Sequence, residues 1–211
     1  MLFDLLSSGP IVALAFVAAL ALGISIHEFS HALAAYLQGD MTARDAGRLT
    51  LNPLAHLDPV GSIMLLLAGF GWGKPTPYNP YNLRFRRFGP LLVALAGPVS
   101  NAIGGALSLT AAALLLPVLG GDNVLIIFLS TLFFVNVMLM LFNLLPLPPL
   151  DGSQILFTLL PDRFHAFKVA LARNGPWLLL GFIILDNVAG LHLFGSVYNF
   201  FLNLLDRFLG L

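Results

Sequence analysis

Long apolar runs, broken by short polar stretches, dominate this chain. The first goes from Pro10 to about Leu37. As a helix it would be ~40 Å long, more than the ~30 Å hydrocarbon core of a bilayer. The runs 89–119 and 124–145 are also of spanning length, and Gly120-Gly121-Asp122 makes a tight turn between them. The run 60–72 is too short to cross, and Asp58-Pro59 before it reads as an N-cap followed by proline in the first turn. It predicts a re-entrant or interfacial helix. The region 176–205 is interrupted by Asp186-Asn187 and carries His192, Asn199 and Asn203. It predicts either a hairpin turned near 186–192 or one span followed by an interfacial helix.

Composition agrees with the pattern. The 211 residues are 58% hydrophobic and only 9% charged, with mean hydropathy +0.91. Soluble domains carry about a quarter charged residues, so a soluble globular domain and a disordered chain are excluded. Lys+Arg and Asp+Glu are both 10, which gives no net field for nucleic acid. The absence of Cys removes disulfides, thiolate nucleophiles and Cys-type zinc sites together. The expected class is an all-α polytopic membrane protein, one domain over 1–211: a helical bundle with a re-entrant segment. A signal peptide is the competing reading of the first run, but Asp4 is the only charge ahead of it, so the basic n-region is missing.

The basic residues orient the spans. Arg44, Arg48, Lys74, Arg84, Arg86 and Arg87 lie between the first span and 89–119, and Arg163, Lys168 and Arg173 follow 124–145. By the positive-inside rule, 39–88 and 146–175 face the cytoplasm. An even number of crossings between 39 and 89 then requires 60–72 to be re-entrant.

The chemistry sits in the second half of the first run. His27-Glu28-Phe29-Ser30-His31 is an H-E-x-x-H, and Glu28 is the only Glu in the chain. On a helix, i and i+4 share a face. Two imidazoles there can hold one Zn²⁺, with the intervening Glu as general base for hydrolysis. Ionisable residues within a membrane span are costly and functional by default. A catalytic zinc needs a third protein ligand. Asp40, Asp45, His56, Asp58, Asp151 and His165 are the candidates at similar depth. Asp151 is distinctive, because Pro146, Pro148 and Pro149 break the preceding helix and non-helical backbone at membrane depth belongs beside a cavity. Two readings of it stand: a cavity-facing ligand, or the N-cap of a short helix 153–160. His56 is either a rival ligand or a polar loop residue.

His27-Glu28-x-x-His31 in a membrane helix, with Asn143-x-x-Pro146 and Leu150-Asp151-Gly152 after a later span, resembles the site-2 protease family of intramembrane zinc metalloproteases. Gly47-Arg48-Leu49-Thr50-Leu51-Asn52-Pro53, Gly71-Trp72-Gly73-Lys74-Pro75 and Ala96-Gly97-Pro98-Val99-Ser100-Asn101 look like its short prokaryotic members. The resemblance covers roughly residues 20–160. It implies one zinc on His27, His31 and Asp151, Glu28 as base, and Asn143 as a helper at the substrate or oxyanion. It implies cleavage of transmembrane helices in a prokaryotic cell membrane, while the basic residues predict a site that opens to the cytoplasm. Many members carry a PDZ domain in a loop. The loops here have no room for one, so a separate partner would have to supply such a gate.

Two physical requirements follow. Water must reach the metal, and 39–59 and 71–88 could line that path. A substrate helix must also unwind, and an edge strand would repair its freed backbone groups. Arg48–Asn52 alternates polar and apolar residues as a short membrane-associated β element would. The alternative to proteolysis is a transporter or metal-handling protein using the same His, Glu and Asp. Transporters usually show internal repeats, and no second copy of either motif is found.

Overall fold

The computed structural model describes residues 9–68 and 73–188, with residues 195, 196, 199–201, 203 and 207 of the C-terminal tail. The helices are α1 (Pro10–Leu37), α2 (Thr42–Asp45), α3 (Pro53–His56), α4 (Pro59–Ala68), α5 (Gly89–Leu119), α6 (Val124–Asn143), α7 (Asp151–Leu159) and α8 (His165–Val188). Among the described residues, four stretches are long and apolar enough to cross a membrane: Pro10–Leu37, Gly89–Leu119, Val124–Asn143 and Asp162–Asp186. The protein is an all-α polytopic membrane protein.

Local chemistry sets the helix ends. Pro10 occupies the first turn of α1, and Gly39, at φ 98°, takes the left-handed backbone that turns the chain after it. Asn123 caps α6 by accepting from the Leu125 amide. Asp58 accepts from the Gly61 amide at the start of α4. With ten residues, α4 is ~15 Å long and cannot cross a bilayer. The end of the expected re-entrant stretch, 69–72, lies outside the described residues.

The fourth long helix begins well before residue 176. Polar Arg173 and Asn174 are inside α8, and Pro176 sits within it. The apolar run marks only the lipid-facing part of that helix, which is why hydropathy alone misplaces its start. The turn expected near 186–192 falls largely outside the described residues.

Helices α1, α5 and α6 pack against one another, and α7 rests on α5. Their buried faces carry small or polar residues: Ala19, Gly23, Ser25, Ala32 and Ala35 on α1, and Gly97, Asn101, Gly105, Ser108 and Ala112 on α5. The outward faces carry Leu14, Leu107, Leu114 and Val118, all exposed. Lipid is as apolar as leucine, so association rests on close backbone approach and interhelical hydrogen bonds. Gly23 shows the approach, since a Cβ there would stand 3.0 Å from Leu139 Cδ1.

The expected strand at Arg48–Asn52 is not formed. Thr50 lies in a bend, its carbonyl turned to the ring of His56 at 2.7 Å. That side-chain bond removes the carbonyl from any ladder. The β-type contact described is instead an isolated antiparallel bridge between Leu57 and Gly73.

Candidate metal centre

His27 and His31 occupy one face of α1, one turn apart and buried. Their Nε2 atoms lie 3.0 Å apart. Asp151 Oδ2 stands 3.1 Å from His27 Nε2 and 3.2 Å from His31 Nε2. Asp151 opens α7 but makes no capping bond, and its carboxylate turns to the imidazoles. The three prolines after α6 create the reversal that brings it there, and Gly152 lets the new helix start against the Leu144 and Leu145 carbonyls, with which a Cβ would collide.

The protons of this cluster follow from its surroundings. Asn136 Nδ2 donates to the Leu132 carbonyl, which leaves Asn136 Oδ1 to accept from Asn101 Nδ2 at 2.8 Å. Asn101 Nδ2 also reaches the Gly23 carbonyl, so Asn101 Oδ1 faces His27 Nδ1 at 2.5 Å. His27 therefore donates from Nδ1. His31 Nδ1 donates to the Val93 carbonyl at 2.7 Å. Pro98, four residues after Ala94, crowds this turn of α5 and lacks the amide that would bond Ala94. With Nδ1 holding the proton of each neutral imidazole, the Nε2 atoms are the ones that present lone pairs to a metal.

Two imidazole Nε2 atoms and one carboxylate oxygen thus face one point, and in the neutral form of the rings all three carry lone pairs. Asp151 Oδ2 is buried and finds no hydrogen-bond donor. Such a cluster calls for a cation. The triangle of 3.0, 3.1 and 3.2 Å is close to the ~3.3 Å edge of a tetrahedron with ~2.0 Å bonds, as zinc prefers. The space beside it is kept open by Gly97, where a Cβ would stand 2.5 Å from His31 Nε2 and 2.6 Å from His27 Nε2. The donor set fits a divalent metal, and the orienting hydrogen bonds behind each imidazole are what such ligands need.

Glu28 is half-buried beside the pair, with a carboxylate oxygen within 4.8 Å of both imidazole nitrogens. Its Oε2 accepts from Thr76, on the loop that follows the Leu57–Gly73 bridge. Tyr78 of the same loop packs on Ala35, Leu83 and Val93. Burial, then the nearby Asp151 charge, pushes its hydroxyl above the usual phenol range.

The other candidates for the third ligand lie elsewhere. His56 is fully buried, but its Nε2 is bonded to the Thr50 carbonyl, and its own carbonyl accepts from the Lys74 amide. It belongs to the loop scaffold and not to the histidine pair. Asp45 pairs with Arg44 at the surface, Asp58 caps α4, and His165 is exposed at the start of α8. Asn143 donates one amide hydrogen back to the Leu139 carbonyl.

Asp40 is fully buried and accepts from Thr42, the Asn79 amide and Asn82. Burial opposes its charge, but the bonds from Thr42, Asn79 and Asn82 prevail and hold the carboxyl below its ordinary range. Asp40→Ala is expected to cost about 1.5–3 kcal/mol, the weight of a buried charged acceptor, read as a lower thermal midpoint. The shift is downward. Its stabilisation is therefore full above the usual carboxylate range, near pH ~4, and is lost as pH falls through the folded value.

Asn101 and Asn136 were not legible as site residues. Asn101 stands in the Ala-Gly-Pro-Val-Ser-Asn stretch, but only packing of α5 on α1 and α6 shows what it orients. Asn101→Leu keeps the number and branching of the side-chain heavy atoms and removes the acceptor for His27 Nδ1. It is expected to weaken zinc binding about 10–100-fold, measured by competition with a chromogenic chelator.

A lipid-embedded helical bundle with an H-E-x-x-H turned inward defines a membrane metallopeptidase. The profile of peptidase family M50 matches residues 121–184. YwhC of Bacillus subtilis (strain 168), provisionally named a zinc metalloprotease, is 45% identical over 154 residues, which cover 70% of this chain and 69% of that protein. Rip2 of Mycolicibacterium smegmatis, likewise provisionally named, is 30% identical over 191 residues, 85% of this chain and 70% of its own. Rip2 of Mycobacterium tuberculosis (strain H37Rv) is 34% identical over 140 residues, 63% of this chain and 52% of its own. No solved structure gives a significant match. The chain belongs to peptidase family M50, the site-2 protease family that its motifs resemble. That membership leaves the transport reading without support.

Proposed function

We propose that the protein is an intramembrane zinc protease that holds one Zn²⁺ per chain on His27, His31 and Asp151 and cuts peptide bonds in or near transmembrane helices. The observation that carries this reading is the convergence of two imidazole Nε2 atoms and a buried carboxylate oxygen at 3.0–3.2 Å. When bound, the ion supplies Lewis acidity, polarising a carbonyl and acidifying water.

The chain's own groups do the rest. Glu28 takes a proton from the attacking water and returns it to the departing amine. Asn143 has a second amide hydrogen beyond the one given to Leu139, and that hydrogen serves the developing oxyanion. Asn101 and the Val93 carbonyl keep the imidazoles in the ligating tautomer.

The basic residues support a site that opens to the cytoplasm of a prokaryotic cell membrane. They flank the ends of α1, α5 and α6 nearest the histidine pair, whereas the 120–123 turn has none. The substrate is a membrane protein presenting a helix that can unwind locally, in regulated intramembrane proteolysis. Membrane lipid surrounds the helices, and a separate partner can supply a gate.

The test uses the purified full chain in detergent with a reporter transmembrane helix. Cleavage is expected, with loss under chelator and recovery on adding zinc. Cleavage that survives complete zinc removal would contradict the proposal.

A further inference from the structure

The loop from Gly73 to Asn79 is held at several points. The Lys74 amide donates to the His56 carbonyl at 2.8 Å. Buried Arg48 donates to the carbonyls of Lys74 and Pro75. The Asn79 amide donates to Asp40 at 2.6 Å. Between these anchors runs Pro75-Thr76-Pro77. Each proline fixes its own φ, and each forces the residue before it into extended backbone. Lys74 and Thr76 are therefore pre-set, and the stretch is stiff.

This stiff stretch delivers two donors to one oxygen. The Thr76 amide lies 3.0 Å from Glu28 Oε2, and Thr76 Oγ1 lies 2.7 Å from the same atom. Oγ1 is also 3.1 Å from the Glu28 backbone carbonyl. A hydroxyl has one proton, and the shorter contact takes it. Both hydrogen bonds to the carboxylate end on Oε2 among the described residues, which leaves Oε1 for the reacting water.

We infer that Thr76 is the positioning residue for the base: its amide and hydroxyl fix the rotamer of Glu28 and dedicate Oε1 to proton transfer. This rests on Glu28 being the base. A glutamate has three side-chain torsions, and a base displaced by ~1 Å can lose about 100-fold in rate. The loop is already anchored by Arg48, His56 and Asp40, so the hydroxyl of Thr76 serves the carboxylate more than the fold.

The test compares Thr76→Val, Thr76→Ser and Glu28→Gln in the zinc-loaded full chain, with amide hydrogen exchange on the zinc-free parent and its Glu28→Ala variant. Thr76→Val keeps shape and amide but loses the hydroxyl. Its kcat is expected to fall about 10–100-fold, with KM within about twofold and zinc stoichiometry and thermal midpoint unchanged. Thr76→Ser should remain within about threefold of the parent. Between Lys74 and Tyr78 the two prolines carry no amide, so the Thr76 amide is readily isolated. In zinc-free protein it should exchange about tenfold faster in Glu28→Ala than in the parent. Full kcat in Thr76→Val, failure of Ser to rescue, or exchange indifferent to Glu28 would each overturn the positioning role. An active Glu28→Gln would instead overturn the base assignment. An inactive Glu28→Gln beside a fully active Thr76→Val would remove only the role of Thr76.

Discussion

Replacing Glu28 by Gln is expected to lower kcat by about 10²–10⁴-fold, the usual weight of a general base, while zinc stays bound at the parent stoichiometry. The substitution is nearly isosteric. A glutamine carbonyl oxygen can still accept from the Thr76 amide and hydroxyl that now hold Oε2. The histidine pair keeps its bonds to Asn101 and Val93. What is lost is a group able to accept and return a proton. Single-turnover cleavage of a reporter helix, run beside metal analysis of the same sample, measures both halves. Parent-like cleavage by Glu28→Gln would show that another group moves the proton.

Gly97→Ala is expected to remove the metal. Its Cβ would stand 2.5 Å from His31 Nε2 and 2.6 Å from both Cε1 and Nε2 of His27. No relaxed structure tolerates such contacts, and neither ring can retreat freely. His31 is tied to the α5 backbone at Val93, and His27 to the Asn101–Asn136 pair. The added methyl also points at the ligating atoms themselves. Zinc content should fall from one per chain towards zero, and affinity by about 100-fold or more, at the upper end of what supporting residues usually contribute. Overpacking of about 1–3 kcal/mol should lower the thermal midpoint as well. Competition with a zinc chelator measures the affinity, and a variant that binds zinc like the parent would show that the helices part readily at this point.

These two residues show how unevenly the site can be read from the sequence. Glu28 and the histidines are legible because their chemistry is local: i and i+4 meet on any helix, and a charge within a span must have a reason. Asp151 is partly legible, since the prolines announce a break in α6 but not which way the carboxylate turns. Gly97, Asn101 and Asn136 are illegible alone. A glycine or an amide in an apolar helix signals close packing, and only the crossing of α5 over α1 makes one a cradle and the other a tautomer lock. Thr76 is hidden for a similar reason, because its partner is 48 positions away.

The fold shows the same division. Apolar runs and capping residues delimit α1, α5 and α6, because lipid imposes length and proline and glycine impose ends. The start of α8 is lost because polar residues continue the helix beyond the apolar part. The strand expected at Arg48–Asn52 fails because the alternation does not follow burial there: Arg48 is buried, Leu51 is exposed, and the Thr50 carbonyl is taken by His56. The stiff extended segment is instead Pro75-Thr76-Pro77, whose prolines are visible in the sequence but whose neighbour, Glu28, is not.

X-ray absorption at the zinc edge tests the centre most directly, on the zinc-loaded full chain and on its Asp151→Ala variant. The account predicts two imidazole ligands and a carboxylate oxygen near ~2.0 Å, with the carboxylate contribution lost in Asp151→Ala. A parent spectrum without imidazole scattering, or identical spectra from the two proteins, would contradict it.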